Sequence, residues 1–451
     1  SASKETEMPE TIDIQLKKGV LGLCVLAVLA RNESYAYEIA SHLSDAIGMG
    51  EGTIYPLMRR MQSDGLVTTY LEESSSGPPR KYYQLTKAGR AALKDARLDY
   101  GHVQQAYMGY VFGDSCCGQA AAYGIGLTGI PVINVNNNCA TGSTALYLAR
   151  QAVESGAVEC ALAVGFEQMQ RGALGAVFND RDDPTQRLLD TMEQIQGVDA
   201  QAPRAAQLFG GGGRAHMELF GTKRETFARI SVKARRHAAN NPYAVFRDPI
   251  TLEQVMASPM IFDPMTRLQC CPPTCGAAAA VLCSTGFAVR HGLDTRVRIA
   301  AQAMTTDTNS SFDEQDMRKL VGYDMSRNAA RQVYEAAGVG PEQIQVCELH
   351  DCFSANELLT YEALGLTAEG GAEHFILEEQ NTYGGQVVTN PSGGLLSKGH
   401  PLGATGLAQC AELTWQLRGQ AGPRQVEGAR FALQHNIGLG GACVVTLYQA
   451  A

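Results

Sequence analysis

After residue 97 the chain carries eight short apolar, β-branched runs, at 105–112, 131–135, 159–164 and 277–282, then at 297–303, 345–350, 430–434 and 442–448. Helical stretches separate most of them. Strand-length apolar runs alternating with helices are the pattern of an α/β fold, whose sheets are covered by helices and whose strands read as continuous apolar segments. The two sets of four read as two similar halves, an internal duplication, over 98–292 and 293–451. A long polar insertion, roughly 166–269, falls inside the first half. Its run Gly210-Gly211-Gly212-Gly213 is expected to make part of it flexible.

Residues 1–97 have a different texture. Apolar periodicity predicts helices at about 14–29, 35–47 and 52–64, the second with Ser34 as N-cap and the third stopped by Gly65. Two alternating strands follow, 66–71 and 81–85, around the polar turn 72–80. Three helices and a two-stranded wing make a winged helix-turn-helix, an α+β domain. The segments Gly19-Val20-Leu21-Gly22-Leu23, Tyr35-Ala36-Tyr37-Glu38-Ile39, Gly52-Thr53-Ile54-Tyr55-Pro56-Leu57 and Arg80-Lys81-Tyr82-Tyr83-Gln84-Leu85-Thr86 resemble the PadR family of transcriptional regulators. That resemblance implies double-stranded DNA as a partner. Thr53, Tyr55 and Arg59 would enter the major groove, and Arg80 and Lys81 would meet phosphates. The alternative is a protein-docking module whose charges form a solvated face.

Charge does not support a dedicated nucleic-acid protein. Residues 1–97 hold equal numbers of basic and acidic side chains, so the net charge of −9 falls wholly on the remainder. Thirteen cysteines are an odd number at irregular spacing, which argues against a disulfide framework and for a reducing, cytoplasmic location. No uncharged apolar run reaches the ~18 residues that span a bilayer, so no membrane span is expected. Cys270-Cys271-Pro272-Pro273-Thr274-Cys275 clusters thiols without a second paired block, and no metal is expected there.

The sharpest chemical signal is Asn134-Val135-Asn136-Asn137-Asn138-Cys139-Ala140-Thr141-Gly142-Ser143. A strand ends in polar residues and a cysteine, and a helix follows. A thiol at a helix N-terminus sits in a field that favours thiolate and lowers its pKa, as a covalent nucleophile requires; taken alone, such a cysteine is more commonly inert and buried. Three further blocks carry groups that could serve it. Ser397-Lys398-Gly399-His400-Pro401-Leu402-Gly403 places a histidine in a glycine-rich loop. His350-Asp351-Cys352-Phe353 follows a strand, and Gln434-His435-Asn436-Ile437-Gly438-Leu439-Gly440-Gly441 ends in a turn whose amides could hold an oxyanion.

Taken together and in this order, the four blocks resemble the thiolase superfamily, and among its members the sterol-carrier-protein type, over about 96–447. The resemblance implies two similar βαβαβαββ halves in five layers. It implies a thiolytic cleavage of 3-oxoacyl-CoA, or the reverse Claisen condensation, with coenzyme A as co-substrate and no permanently bound cofactor. By it Cys139 would be the nucleophile and His400 its base. His350 and His400 would hold the water that binds the thioester oxygen. Amides at Cys139 and the turn containing Asn436, Gly438, Gly440 and Gly441 would bind the oxyanion, and Cys352 would be the acid/base thiol. A homodimer or homotetramer is likewise implied. The family's opening eighty or so residues have no counterpart here. The winged-helix segment stands in their place, and the expected cost is a first strand missing from the middle of the N-terminal sheet, with buried backbone groups left unpaired.

Overall fold

The computed structural model describes residues 88–169 and 180–451, together with Ser34–Tyr35, Ile39, Met58 and the backbone of Val67–Ser74 and Gly77–Leu85. The chain divides into two compact units, 1–90 with 119–128, and 91–118 with 129–451.

In the smaller unit, strands β1 (Ser34–Tyr35), β2 (Val67–Ser74) and β3 (Gly77–Leu85) form an antiparallel sheet in the order β1-β3-β2. The predicted wing is therefore a hairpin, longer than expected, in which Thr69 faces Tyr83 and Glu72 faces Arg80. Ser34 and Tyr35 pair with Tyr83 and Tyr82. They extend the ladder where the sequence placed the start of the second helix, and whether Ser34 caps a helix lies outside the described residues. Of the three predicted helices, Ile39 and Met58 are described, both helical and fully buried. Thr53, Tyr55 and Arg59 lie outside the described residues, and Arg80 and Lys81 are described as backbone of β3 only.

The larger unit holds the duplication. Strands β4 (Gln105–Gly109), β5 (Val132–Val135) and β6 (Cys160–Glu167) come first, and a small hairpin, β7 (Met260–Phe262) and β8 (Met265–Thr266), precedes β9 (Gly276–Cys283). The second half supplies β10 (Val297–Thr305), β11 (Val346–Glu348), β12 (Val388–Thr389), β13 (Phe431–Gly438) and β14 (Ala442–Ala450). All eight predicted runs are strands. The first sheet has the order β5-β4-β6-β9 and the second β12-β11-β13-β14-β10. Each contains three parallel strands followed by an antiparallel one. Helices Thr141–Glu154 and Thr405–Arg418 lie between the sheets. Ala145, Leu146 and Ala149 of the one meet Leu407 and Leu413 of the other, with Ala161 and Ala163 on one side and Val346 and Ala432 on the other. Burying each such leucine contributes about 1.5–3 kcal/mol, so this middle layer holds the two halves together.

The comparison of halves corrects the expectation of a lost central strand. In the second sheet the first strand in sequence, β10, is at the edge, paired with β14 alone. Its counterpart in the first sheet would pair with β9 alone. Among the described residues the first sheet has no strand beyond β9, which is an edge position, and β5, β4 and β6 keep their neighbours.

The insertion is also more ordered than its composition suggests. It forms helices Gln186–Gln196, Arg204–Phe220, Arg224–Ala238 and Leu252–Met256. Gly210 to Gly213 are buried inside the second of these, contrary to the flexible stretch expected. A Cβ at Gly210 would stand 2.7 Å from the Phe262 ring, and one at Gly213 would stand 2.9 Å from the Ala355 Cβ. The glycines are a smooth helix face against which neighbouring elements close, and that packing overrides their low helix propensity.

Candidate active site

The turn that carries Cys139 is built by backbone and asparagine. After β5 the chain turns through Asn138, whose φ of 50° is left-handed. This conformation suits asparagine among the residues that bear a Cβ. The Asn138 amide donates to the Leu439 carbonyl at 3.2 Å, tying the turn to the glycine-rich loop of the other half. Gly438 must lack a side chain, because a Cβ there would lie 2.2 Å from the Asn137 carbonyl oxygen. Cys139 follows, half-buried, with helix Thr141–Glu154 immediately after it.

Cys139 Sγ and one ring nitrogen each of His350 and His400 lie within 4.8 Å of one another. The two rings meet edge to face, with centroids 5.2 Å apart. His400 follows Gly399, whose φ is 114°, and its Nδ1 lies 2.8 Å from Thr405 Oγ1. The Thr405 hydroxyl donates to the Pro401 carbonyl, so it accepts from His400 Nδ1–H. That leaves His400 Nε2, buried and without a partner, as a bare lone pair. Burial, with the charge of Lys398 second, pushes the His400 pKa down to about 3, so the ring is neutral.

His350 is opposite in character. Its Nδ1 lies 2.9 Å from Asn436 Nδ2, and the Asn436 Oδ1 accepts from Ser143 Oγ at 2.8 Å. The ring therefore accepts at Nδ1 and carries its proton on Nε2. Burial, then His400, His435 and Lys398, hold its pKa well below the usual value. The site pairs one imidazole that can take a proton with one that can donate a hydrogen bond.

Metal-ligand spacing among Cys139, His350 and His400 invites comparison with a zinc tripod. The donor set does not fit, since His350 turns N–H outward and only His400 offers a free lone pair.

Cys139 itself departs from the sequence expectation. Burial, then the negative charge of Glu167, pushes its pKa up to about 12. The N–H groups of Cys139 and Leu439 act in the other direction without overcoming this. The helix terminus does not leave a resting thiolate, because desolvation outweighs the dipole. Cys352 is buried, and its pKa is raised well above the usual value by burial, then by Cys271, Cys139 and Asp351. Its carbonyl accepts from the Cys271 N–H at 2.9 Å. All three thiols are thus protonated at neutral pH, Cys271 for the same reason.

Supporting groups come from distant parts of the chain. The Asp351 carboxyl oxygen Oδ1 accepts from the Leu395 N–H at 2.6 Å, fixing the His350–Phe353 block to the loop that carries His400. Glu167 accepts from the N–H groups of Val111, Phe112 and Gly403 at 3.2, 3.0 and 2.9 Å, joining the two halves beside Cys139. Asn436 is fully buried, and Gly440 and Gly441, in the glycine-rich turn, have left-handed φ of 93° and 94°. The sequence reading did not single out Ser143, Glu167 or Thr405, and it weighed Cys271 only as part of a thiol cluster. Ser143 and Thr405 lie within or beside quoted blocks, but their partners are up to 293 residues away.

Two halves of this topology, meeting at a cysteine elbow and a histidine pair, define a thiolase, and the chain belongs to the thiolase family. Residues 81–286 match "Thiolase, N-terminal domain" and 306–448 match "Thiolase C-terminal domain-like". The chain is 55% identical over 395 residues to Sterol carrier protein 2 of Homo sapiens, covering 87% of this chain and 72% of that one. It is 37% identical to an acetyl-CoA acetyltransferase of Methanothermobacter thermautotrophicus, covering 81% of this chain and 93% of that one. Among solved structures it resembles the Ltp2-ChsH2(DUF35) aldolase, with a TM-score of 0.66 and 25% identity over 80% of this chain and 91% of that chain. Residues 25–95 match the "Transcriptional regulator PadR-like family". Among the described residues no helix is long and apolar enough to cross a membrane.

Proposed function

We propose that the chain cleaves 3-oxoacyl-CoA thiolytically through an acyl-cysteine at Cys139, or runs the reverse condensation. The observation that carries this reading is the trio of Cys139, His350 and His400 within 4.8 Å, one histidine a base and the other a donor. His400 Nε2 takes the proton of Cys139 as sulfur attacks the 3-keto carbon. Amides of Cys139 and the loop after Asn436 stabilise the oxyanion. The C2–C3 bond breaks and its electron pair passes to the enolate of the departing acyl-CoA. His350 Nε2–H stabilises that enolate at the thioester oxygen, and the Cys352 thiol protonates C2. Incoming CoA then gives its proton to Cys352 and attacks the acyl group, and Cys139 recovers its proton from His400. Starting from a neutral thiol and a neutral imidazole, the site creates charge only when substrate arrives. A homo-oligomer in a cytoplasmic setting goes with this reading.

The test is CoA-dependent loss of a 3-oxoacyl-CoA by the purified chain, with Cys139→Ala alongside and mass spectrometry for the acyl-enzyme. Full activity in the variant would sink the assignment. Cleavage without CoA would favour an aldolase-like reaction.

A second reading draws on the PadR-like match and the β2–β3 hairpin. The smaller unit would bind double-stranded DNA, with the thiolase part sensing acyl-CoA or inert. Binding that weakens steeply with salt in a gel-shift series supports it, and absence of any shift removes it.

A further inference from the structure

A chain of hydrogen bonds runs beneath the active site from one half to the other. Tyr448 Oη donates to Gln434 Oε1 at 2.5 Å. Gln434 Nε2 donates to the Gly406 carbonyl at 2.7 Å and to Ser143 Oγ at 2.8 Å. Ser143 then bonds Asn436, and Asn436 bonds His350. The Gly406 carbonyl can only accept, so it fixes which end of the Gln434 amide is nitrogen. Each assignment downstream follows from that one. Ser143 accepts from Gln434 and has its single hydrogen left for Asn436. The Asn436 atom facing Ser143 must therefore be oxygen, and its nitrogen faces His350. Turning Asn436 over would leave the buried Ser143 hydrogen without an acceptor, which is unfavourable for a buried donor.

We propose that Ser143 and Asn436 are positioning residues that lock His350 in the Nε2–H tautomer, so that it presents a donor to the substrate. The role rests on the thiolase reading above and goes beyond it. Without the lock, either ring nitrogen of His350 could carry the proton, and the tautomer with a bare Nε2 would set the His350 lone pair against a developing enolate oxygen. Neither Ser143 nor Asn436 needs to touch substrate, and both are buried. The same chain places the control of a histidine after β11 partly in the helix that follows Cys139, so nucleophile and donor are set by one element.

The decisive variant is Asn436→Asp, close in shape but inverted in hydrogen bonding. An aspartate accepts from His350 Nδ1, strips Nε2 of its proton, and should lower kcat at pH 8 by about 10²- to 10⁴-fold, the range seen where a wrong tautomer disables a catalytic histidine. KM should change little. Activity should then recover as pH falls, because the new carboxylate favours an imidazolium that again carries Nε2–H. The groups that set where this occurs are His400, His435 and Lys398 around the ring and Asp351 beside it. Asn436→Ala should lose activity without that recovery. Wild-type kcat in Asn436→Asp at pH 8, or a loss that does not reverse at lower pH, would overturn the proposal.

A second measurement reads the tautomer directly. In the full chain with ¹⁵N-labelled histidine, His350 should give the Nε2–H pattern of shifts in wild type and a mixture in Ser143→Ala. A wild-type Nδ1–H pattern would refute the lock. Because this readout needs no substrate, it separates failure of the lock from failure of the enzymatic reading.

Discussion

The chemistry of the site is decided residue by residue through desolvation. A cysteine at the start of a helix suggested a thiolate, yet Cys139 is held up to about 12 by burial and by Glu167. This makes a direct prediction for alkylation. With iodoacetamide the rate at Cys139 should climb about tenfold per pH unit from pH 7 to pH 10 without levelling, measured on the Cys139 peptide by mass spectrometry. A plateau below pH 8 would show an ion pair with His400 and contradict the neutral resting state. The same residues show what was legible in the sequence. Cys139, His350, Cys352 and His400 stood out because each sits in a short block with its own local logic. Their protonation did not, because burial is a property of the assembled fold. Ser143 and Glu167 act through partners 293 and 236 residues away, and no local pattern encodes such a pairing.

At the scale of elements, the eight strands were legible because apolar runs of strand length have few other fates. Their order in the sheet was not, since sequence fixes neither neighbours nor edges. The open edge of β9 follows from that order, and it can be tested. The Ser284 N–H donates to the Glu159 carbonyl, and strand residues alternate in direction. Ala278, Ala280 and Leu282 therefore turn their N–H groups toward β6, and Ala277, Ala279, Val281 and Cys283 turn theirs away. No other strand among the described residues pairs with that outer side. Amide hydrogen exchange should alternate along β9, the outward set exchanging at least about tenfold faster than the inward set. Uniform protection would mean that another segment or a second chain covers the edge. In β14, paired on both sides by β13 and β10, no such alternation is expected. The four-glycine run makes the complementary point. Its composition pointed to flexibility, and only the closeness of Phe262 and Ala355 reveals it as a packed helix face.

For the whole molecule, the buried titratable groups set an unusual pH dependence of stability. His237, His400 and His435 are each held down to about 3, and His350 is held well below its usual value, in every case chiefly by burial. Against an unfolded value near 6.5, the unfolded chain takes up protons below pH 6.5 that the folded chain refuses. The stability these histidines contribute is thus complete above 6.5 and is lost as pH falls. Two buried acids act in the opposite sense. Burial raises Glu348 to about 7 and Asp351 to about 8. Their contribution is complete at pH values below the unfolded carboxylate range and is lost as pH rises through those folded values. Each group changes stability by up to about 1.4 kcal/mol per pH unit within its window. Between pH 6.5 and 8 the acids act nearly alone, so stability should fall with rising pH, and above that range the thiols that burial keeps protonated continue the fall. Below 6.5 four histidines outweigh two acids, and stability should fall with falling pH. The melting temperature should therefore peak near pH 6.5. Glu167 and Asp307, also raised by burial, blunt the acid limb without reversing it. The check is a series of thermal melts from pH 5 to 9, with Asp351→Asn alongside. The variant removes the largest alkaline contribution, so its curve should be flatter between pH 6.5 and 8 while its acid limb keeps the wild-type slope or becomes steeper. A wild-type protein whose melting temperature rose steadily from pH 6.5 to 9 would show that Glu348 and Asp351 are ionised in the fold, and that the loop carrying His350 is held by carboxylates rather than by carboxylic acids.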